Sequence, residues 1–339
     1  MRRIMSVLTA LAISLAVLCG CAPRKSSDRI SIVTTSFPPY DFARAVAGDS
    51  ADITMLLDAG AEAHSYEPSP MDIAAIQNCD VFVYIGGEGE VWVDNILDSI
   101  DTDGMEIIRL FDYVEPLEEE EVEGASPDGH EHHHDDEHDH DEHDHEDNAE
   151  YDEHIWTSPK NAKLCVEGIA NALSEIYPEN SAVYGANAEP YEDELTQLDE
   201  DFTTMTTLSA KNLMIVADRF PFRYLANDYH LMYYAAFSGC SSESEPSVYT
   251  MAFLMDAIEK NGVNVVYYLD MSQVKLAQKL SDATGVKILP LYQCHNVTRK
   301  DFEDGVTYVE LMRRNLENLG EEFGKYYETE RDHRNGKDT

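Results

Sequence analysis

The sequence predicts an α/β protein of two lobes, each built on a parallel β-sheet flanked by helices, with a long helix joining the lobes. Strand-like apolar runs alternate with helical patterns from residue 29, and the alternation restarts near residue 211. Between these regions lies a long amphipathic stretch. We therefore expect an N-terminal lobe over 29–178, a connecting helix over 179–207 and a C-terminal lobe over 208–325.

The first lobe begins with a β-branched run over 29–35 that predicts a strand. Pro38-Pro39 is expected to break the chain before a helix over about 40–47. Three further elements are predicted: a strand over 52–57, a short helix around 70–78 and a strand over 81–85. The last is apolar throughout, which is typical of a strand buried on both faces of a parallel sheet.

The second lobe repeats this alternation. Predicted strands cover 213–216, 232–235, 263–269 and 286–291, with helices over about 247–260 and 272–284. Before it, residues 160–176 and the connecting stretch are both predicted helical. Pro190 lies inside the connecting helix and is expected to kink it. A long helix between the lobes would restrict how far they close.

The sequence predicts a signal peptide at the N-terminal end of the chain and a polar tail at the C-terminal end. Arg2 and Arg3 precede an apolar run that is too short to form a stable membrane span and that ends in Leu-Cys-Gly-Cys. This ending resembles the bacterial lipobox, so we expect a signal peptide over 1–20 and lipidation at Cys21. Residues 21–28 would then link an extracytoplasmic protein to its lipid anchor, the only contact with the membrane. Residues 326–339 form a polar tail.

Composition excludes some partners and leaves one cysteine question open. The net charge of −42 repels nucleic acid and anionic headgroups and attracts cations. No CxxC pair indicates a thiolate zinc cluster. Cys240 and Cys294 each end a predicted strand, and outside the cytoplasm either a disulfide between them or two free thiols is compatible with the sequence.

A separate zone over about 115–150 is dominated by acid and histidine and is nearly free of apolar side chains, so we expect it to be disordered. Its eight histidines are His130, His132, His133, His134, His138, His140, His143 and His145. One interpretation is an auxiliary loop that collects metal weakly near a tighter site. The other is a solvated spacer without a role; eight histidines exceed what solubility requires, which favours the collector.

Three other histidines stand in unlike contexts: His64, His154 and His295. His64 and His295 each follow the carboxyl end of a predicted strand, the edge of an open α/β sheet where ligands bind. Neutral imidazole is the commonest nitrogen ligand of zinc-like metals. Singly, each histidine is more typical of a structural residue, but the set predicts metal ligands.

The chain also resembles the metal-specific solute-binding proteins of bacterial ABC importers over residues 30 to about 322. The resemblance rests on residues 36–43 (SFPPYDFA), 64–73 (HSYEPSPMDI), 90–92 (EVW), 152–156 (DEHIW), Asn187, 245–247 (EPS), Tyr308 and 312–316 (MRRNL). It implies a metal in the cleft between two lobes joined by a rigid helix. A long histidine- and acid-rich loop before the second histidine implies the zinc-uptake branch.

The resemblance implies that His64 and His154 are metal ligands. The family's third histidine has no counterpart, because Arg219 stands near its position and arginine has no free lone pair. We expect His295 to replace it, with water or one carboxylate completing the shell. Glu245 and Asp218 are the candidate carboxylates, and either is equally able to pair with Arg219.

The predicted function is capture of a divalent transition metal, zinc before manganese or iron(II), and its delivery to an ABC permease with its ATPase. Three imidazoles and one oxygen suit tetrahedral zinc, whereas manganese prefers a shell richer in oxygen. A metal-buffering adhesin is an alternative of another class. A metal-dependent hydrolase is disfavoured because the sequence contains no GxSxG motif and shows no evident general base beside the three histidines. We expect a monomer and no enzyme.

Overall fold

The computed structural model describes residues 29–120, 122–124, 150–239, 241 and 245–324. The strands there are β1 (Ile30–Thr34), β2 (Ala51–Met55), β3 (Val81–Tyr84), β4 (Glu106–Arg109), β5 (Leu213–Phe220), β6 (Met232–Ser238), β7 (Val265–Leu269) and β8 (Lys287–Leu291). They form two four-stranded sheets, ordered β2-β1-β3-β4 and β6-β5-β7-β8. Every named pairing is parallel, which confirms the predicted two-lobed α/β fold.

The sheets share one topology, and this determines where ligands bind. In each lobe the first strand along the chain lies inside the sheet, with the second strand at its edge. In the first sheet Ile32 of β1 is level with Ile53 of β2 and with Val81 of β3, so these strands end at one edge. Loops that leave the carboxyl ends of parallel strands therefore lie together.

Helices cover these sheets and connect them. Their bounds are α1 (Phe37–Ala47), α2 (Pro70–Asn78), α3 (Val91–Leu97), α4 (Pro159–Ile176), α5 (Ser181–Leu208), α6 (Arg223–Asp228), α7 (Val248–Asn261), α8 (Lys275–Thr284), α9 (Arg299–Glu303) and α10 (Tyr308–Phe323). The expected break at Pro38-Pro39 was wrong, because both prolines lie in the first turn of α1. Proline is tolerated there, since first-turn amides have no partner within the helix.

The connecting helix α5 runs through Pro190 and buries large side chains along its length, among them Tyr184, Leu195 and Phe202. The core is shared between the lobes: Phe42 of α1 packs against Tyr308 of α10 with ring centroids 5.2 Å apart. Continuous packing of this kind resists large movements of one lobe against the other.

A buried carboxylate, Asp41, ties three helices together at this junction. Its Oδ2 accepts a hydrogen bond from the Tyr191 hydroxyl of α5 at 2.6 Å and another from the backbone N–H of Tyr308 at 2.7 Å. Its Oδ1 accepts one from Arg44 Nε at 2.7 Å. Burial raises the pKa of Asp41, although Arg44 and the hydrogen bonds oppose that rise. Asp41 thus links α1, α5 and α10.

No helix of the described residues combines the length and the apolar character needed to cross a bilayer. Several sequence predictions lie outside those residues: the signal peptide, Cys21, the 21–28 linker, the histidines between 130 and 145, and the 326–339 tail. Cys240 lies outside them too, while Cys294 is a buried free cysteine, so the proposed bridge between them stays a prediction.

Candidate metal centre

His64, His154 and His295 converge on one point between the lobes. Each offers a ring nitrogen, and these three atoms all lie within 4.8 Å of one another. The ring centroids are 5.3 to 6.1 Å apart. No other group of at least three histidine, cysteine or acidic side chains in the described part of the chain is spaced to hold a metal ion. The arrangement matches the geometry expected of ligands to a shared cation.

Three different segments deliver these side chains. His64 lies in the loop between β2 and α2, His295 lies in the loop after β8, and His154 immediately precedes a 3-10 turn over Ile155–Thr157. Cys294 adopts a left-handed backbone conformation with φ of 58°. A non-glycine residue in that region is strained, and here the turn directs the chain into His295 beside the other two rings.

Two of the ring nitrogens are buried and have no hydrogen-bond partner. They are Nε2 of His154 and Nδ1 of His295, whose side chains are 0% and 6% exposed. A buried polar atom without a partner costs about 1 to 3 kcal/mol, so native proteins rarely retain one without a reason. A metal ion would satisfy both lone pairs. The donor set therefore fits a transition-metal ion, with His64 as its most exposed member.

Two acidic residues that directly precede His154 lie beside the imidazoles, and one of them orients its ring. Asp152 Oδ1 lies 3.1 Å from Nδ1 of His154 and also accepts the backbone N–H of that residue at 2.8 Å. A proton on Nδ1 leaves Nε2 free to bind metal, the arrangement that carboxylate–histidine pairs give to metal sites. Glu153 Oε1 lies 3.5 Å from Nδ1 of His64. Both carboxylates are only 3% exposed.

Two glycines make room for Glu153. A Cβ on Gly87 would come within 2.1 Å of the Cβ of Glu153, and one on Gly89 within 2.7 Å of its Oε1. The backbone N–H of Gly89 donates to Oε2 of Glu153 at 2.5 Å. Any larger side chain at either glycine would displace the carboxylate from the metal centre.

The electrostatic environment differs among the three rings. Burial lowers the pKa of His64, with the neighbouring His154 adding to the effect. Burial also holds the pKa of His295 well below its usual value, reinforced by His64 and His154. For His154 burial acts downward, but the charge and hydrogen bond of Asp152 outweigh it, so the pKa is raised. The neutral, metal-binding form is therefore favoured at His64 and His295, whereas His154 keeps its extra proton up to a higher pH than either.

The predicted fourth ligands do not join the cluster. Asp218 Oδ1 accepts the backbone N–H of Arg219 at 2.9 Å, and its Oδ2 accepts the Ser272 hydroxyl. Asp218 and His64 both line a small cavity of about 40 Å³, but Asp218 does not lie among the closely spaced ligand atoms. Glu245 is exposed. Both stay predictions.

Arg219, the alternative partner considered for Asp218 and Glu245, contacts Glu62. Its guanidinium Nη1 lies 3.9 Å from Oε1 of Glu62, two residues before His64. Both side chains are partly exposed, at 28% and 55%, so this contact is weak. It nevertheless places a cation from the second lobe beside the His64 loop.

Asn296 fastens the His64 loop to the His295 segment. Its Nδ2 donates to the carbonyls of Asp58 and Ala61, each at 2.9 Å. The backbone N–H of Gly60 in turn donates to the carbonyl of Val297 at 2.8 Å. These bonds join the first-lobe ligand loop to the second-lobe ligand segment and set the separation of two histidines.

Aromatic side chains pack against His295. The Trp156 ring lies 4.7 Å from that of His295, between centroids, and its Nε1 donates to the Gln293 carbonyl at 2.8 Å. Phe220 and Phe222 are buried in the shared core. This packing limits rotation of His295.

Sequence reasoning identified the three histidines but assigned no role to Asp152, Glu153 or Asn296. The first two had a detectable signal, because two acidic residues directly precede a candidate ligand histidine and such ligands usually pair with a carboxylate. Asn296 had no comparable signal, since its partners lie more than 230 positions earlier in the chain.

Fold and site together define a two-lobed protein with a candidate transition-metal centre between its lobes. The family model described as "Zinc-uptake complex component A periplasmic" (ZnuA) matches residues 32–322. The chain belongs to this family, which confirms the resemblance drawn from its motifs.

Curated relatives agree with the assignment. The zinc-binding lipoprotein AdcA of Streptococcus pneumoniae R6 is 34% identical over 316 residues, which cover 91% of this chain and 60% of the relative. The high-affinity zinc uptake system protein ZnuA of Bacillus subtilis 168 is 30% identical over 310 residues, covering 90% of this chain and 92% of the relative. The chain thus spans about 60% of the length of the AdcA relative.

Solved structures share the fold. The Zn(II)-bound ZnuA-like domain of S. pneumoniae AdcA matches with a TM-score of 0.70 and 31% identity, covering 87% of this chain and 99% of that domain. The metal-dependent lipoprotein YcdH of B. subtilis matches with a TM-score of 0.72 and 26% identity, covering 87% of this chain and all of that one (100%).

Proposed function

We propose that this protein captures one zinc ion outside the cytoplasm and delivers it to an ABC permease for uptake. The observation that carries the proposal is the convergence of His64, His154 and His295, two of which hold buried nitrogens without partners. Family membership and zinc-binding relatives support the same cargo.

The donor set favours zinc over the other candidate metals. Three imidazoles with one oxygen satisfy tetrahedral zinc at about 2.0 to 2.2 Å. Manganese requires a shell richer in oxygen and of higher coordination number, and iron(II) is likewise the weaker candidate. Water or a carboxylate supplies the oxygen, and Asp218 and Glu245 remain the proposed carboxylates.

The protein acts as a carrier and not as an enzyme. Of the buried acids beside the histidines, Asp152 is hydrogen-bonded to His154, and Glu153 is held by the Gly89 amide with its other oxygen 3.5 Å from Nδ1 of His64. A general base must instead reach a water or substrate bound to the metal. A metal-buffering adhesin would use the same site but would need no permease.

The parts outside the described residues complete the proposal. Lipidation at Cys21 would hold the chain at the outer face of a membrane, and the histidine tract would collect zinc near the cleft. The lobe limits 29–178 and 208–325, with the helix 179–207 between them, are the proposed division of the chain. We propose that it works as a monomer with the permease and its ATPase.

Titration calorimetry tests the proposal. Zinc added to the wild-type chain should fill one tight site, and His154→Ala should remove it, with a loss of at least about 100-fold in affinity because one of three ligands is missing. Manganese should bind more weakly. His230→Asn is the matched control, because His230 is exposed and lies outside the cluster. A tight site that survives His154→Ala would refute this centre.

A further inference from the structure

Glu153 lies beside the metal centre in a way that orientation alone does not explain. Its Oε2 is fixed by the Gly89 N–H, but its Oε1 is buried and makes no hydrogen bond. That oxygen lies 3.5 Å from Nδ1 of His64, within ion-pair distance. A residue that served only to orient His64 would form a hydrogen bond to it. Oε1 contributes charge instead.

Charges around the centre are unbalanced without a cation. Neutral imidazoles contribute no charge, and a proton on His154 would balance only one of the two carboxylates beside the rings, those of Asp152 and Glu153, each 3% exposed. Arg219, a positively charged side chain of the second lobe, is directed to Glu62 and contacts neither Asp152 nor Glu153 among the ion pairs of the described residues. Buried carboxylates without compensation are costly, and an ion of charge +2 would compensate both.

We propose that Asp152 and Glu153 select the charge of the cargo, so that the site prefers a divalent ion over a monovalent one such as Cu(I). The inference rests on the proposed function. Imidazole ligands by themselves suit copper as well as zinc, so the three histidines do not discriminate between these ions. The Coulomb energy between a fixed carboxylate and an ion is proportional to the charge of the ion. The attraction energy of each acid for Zn²⁺ is therefore twice its attraction energy for Cu⁺ at the same position.

The test replaces Glu153 with glutamine, which keeps shape and removes charge. The amide oxygen still accepts the Gly89 N–H, so the loop geometry is retained. We take the carboxylate to lie roughly 6 Å from the ion, in an effective dielectric constant of about 20. Removing its charge then lowers the affinity by up to about 100-fold for each unit of charge on the bound ion, so Zn²⁺ loses more than Cu⁺. We expect the ratio of Zn²⁺ to Cu⁺ affinity in the full chain to fall by about 10- to 100-fold, measured by competition with chromophoric chelators under reducing conditions.

Glu322→Gln is the matched control. Glu322 is also a buried carboxylate that accepts backbone N–H groups, from Asn264 and Val265, but it contacts the amino end of β7, away from the cluster. Its substitution should leave the ratio unchanged. Asp152→Asn is the second variant and should lower the ratio in the same direction. Thermal melts followed by circular dichroism establish that each variant is folded.

The measured affinities distinguish a charge-selecting role of Glu153 from a purely positioning one. A fall in the ratio supports charge selection. Equal weakening of both ions would overturn it, because Glu153 would then only position His64. No change in either affinity would overturn it as well. A wild-type chain that binds zinc no more tightly than His154→Ala would instead defeat the proposed function itself.

Discussion

Nδ1 of His154 lies 3.1 Å from Oδ1 of Asp152, and this contact determines which nitrogen of the ring is available to a metal. With Nδ1 protonated, Nε2 of His154, which is buried and has no hydrogen-bond partner, keeps its lone pair free for a metal shared with His64 and His295. The same Asp152 oxygen accepts the backbone N–H of His154. One carboxylate therefore fixes both the backbone and the ring of a buried ligand.

Replacing Asp152 with asparagine should weaken zinc binding by about 10- to 100-fold, since carboxylate partners of ligand histidines commonly contribute that much. The substitution removes the charge that raises the pKa of His154, so that pKa should fall. NMR titration of the metal-free protein measures the pKa, and calorimetry measures the affinity. An unaltered His154 pKa would show that Asp152 does not control the protonation of the ring.

Zinc affinity should decline as the pH falls, first because of His154. Its pKa is raised above the usual value of about 6.5, so below that raised pKa each zinc displaces one proton and the affinity falls about tenfold per pH unit. The pKa values of His64 and His295 are lowered, so they add to the decline only at more acidic pH. Calorimetry in buffers of different ionisation enthalpy counts the protons released. Equal affinity at about pH 5 and pH 7.5 would contradict this order.

Asn296→Ala should both destabilise the fold and weaken zinc binding. The carbonyls of Asp58 and Ala61 lose their donor, at a cost of about 1 to 3 kcal/mol in the free energy of unfolding. Urea denaturation measures that cost. Asn296→Asp is a sharper variant, because a carboxylate accepts hydrogen bonds and would repel both carbonyls. If Asn296→Asp binds zinc as tightly as the wild type, the hydrogen bonds of Asn296 to Asp58 and Ala61 do not position His64.

Removing residues 125–148 should eliminate weak zinc sites and preserve the tight one. The deletion spares the antiparallel bridge between Glu118 and Tyr151, and with it the segment that leads to His154. Zinc calorimetry should show the same high-affinity step with fewer weak sites after it. Loss of the tight step would mean that the tract contributes a ligand to the centre.

The sequence predicted most of the fold where patterning was strong. The apolar run of β3 is buried at every position, and the amphipathic α5 lies close to its expected limits. Two elements of the first lobe went unpredicted, α3 and β4. In β4 only Ile108 is buried, so this edge strand lacks the alternation that identifies a half-buried strand.

By itself the sequence determined the α/β class, the family and the three histidines, because hydrophobic period and ligand chemistry are local properties. Only the tertiary structure decided which groups act on those histidines. Asp152 and Glu153 are adjacent in the chain yet serve different rings, and Asn296 reaches a loop of the other lobe. Such contacts depend on how two sheets pack around a shared core, and a pattern along one chain does not encode distances across it.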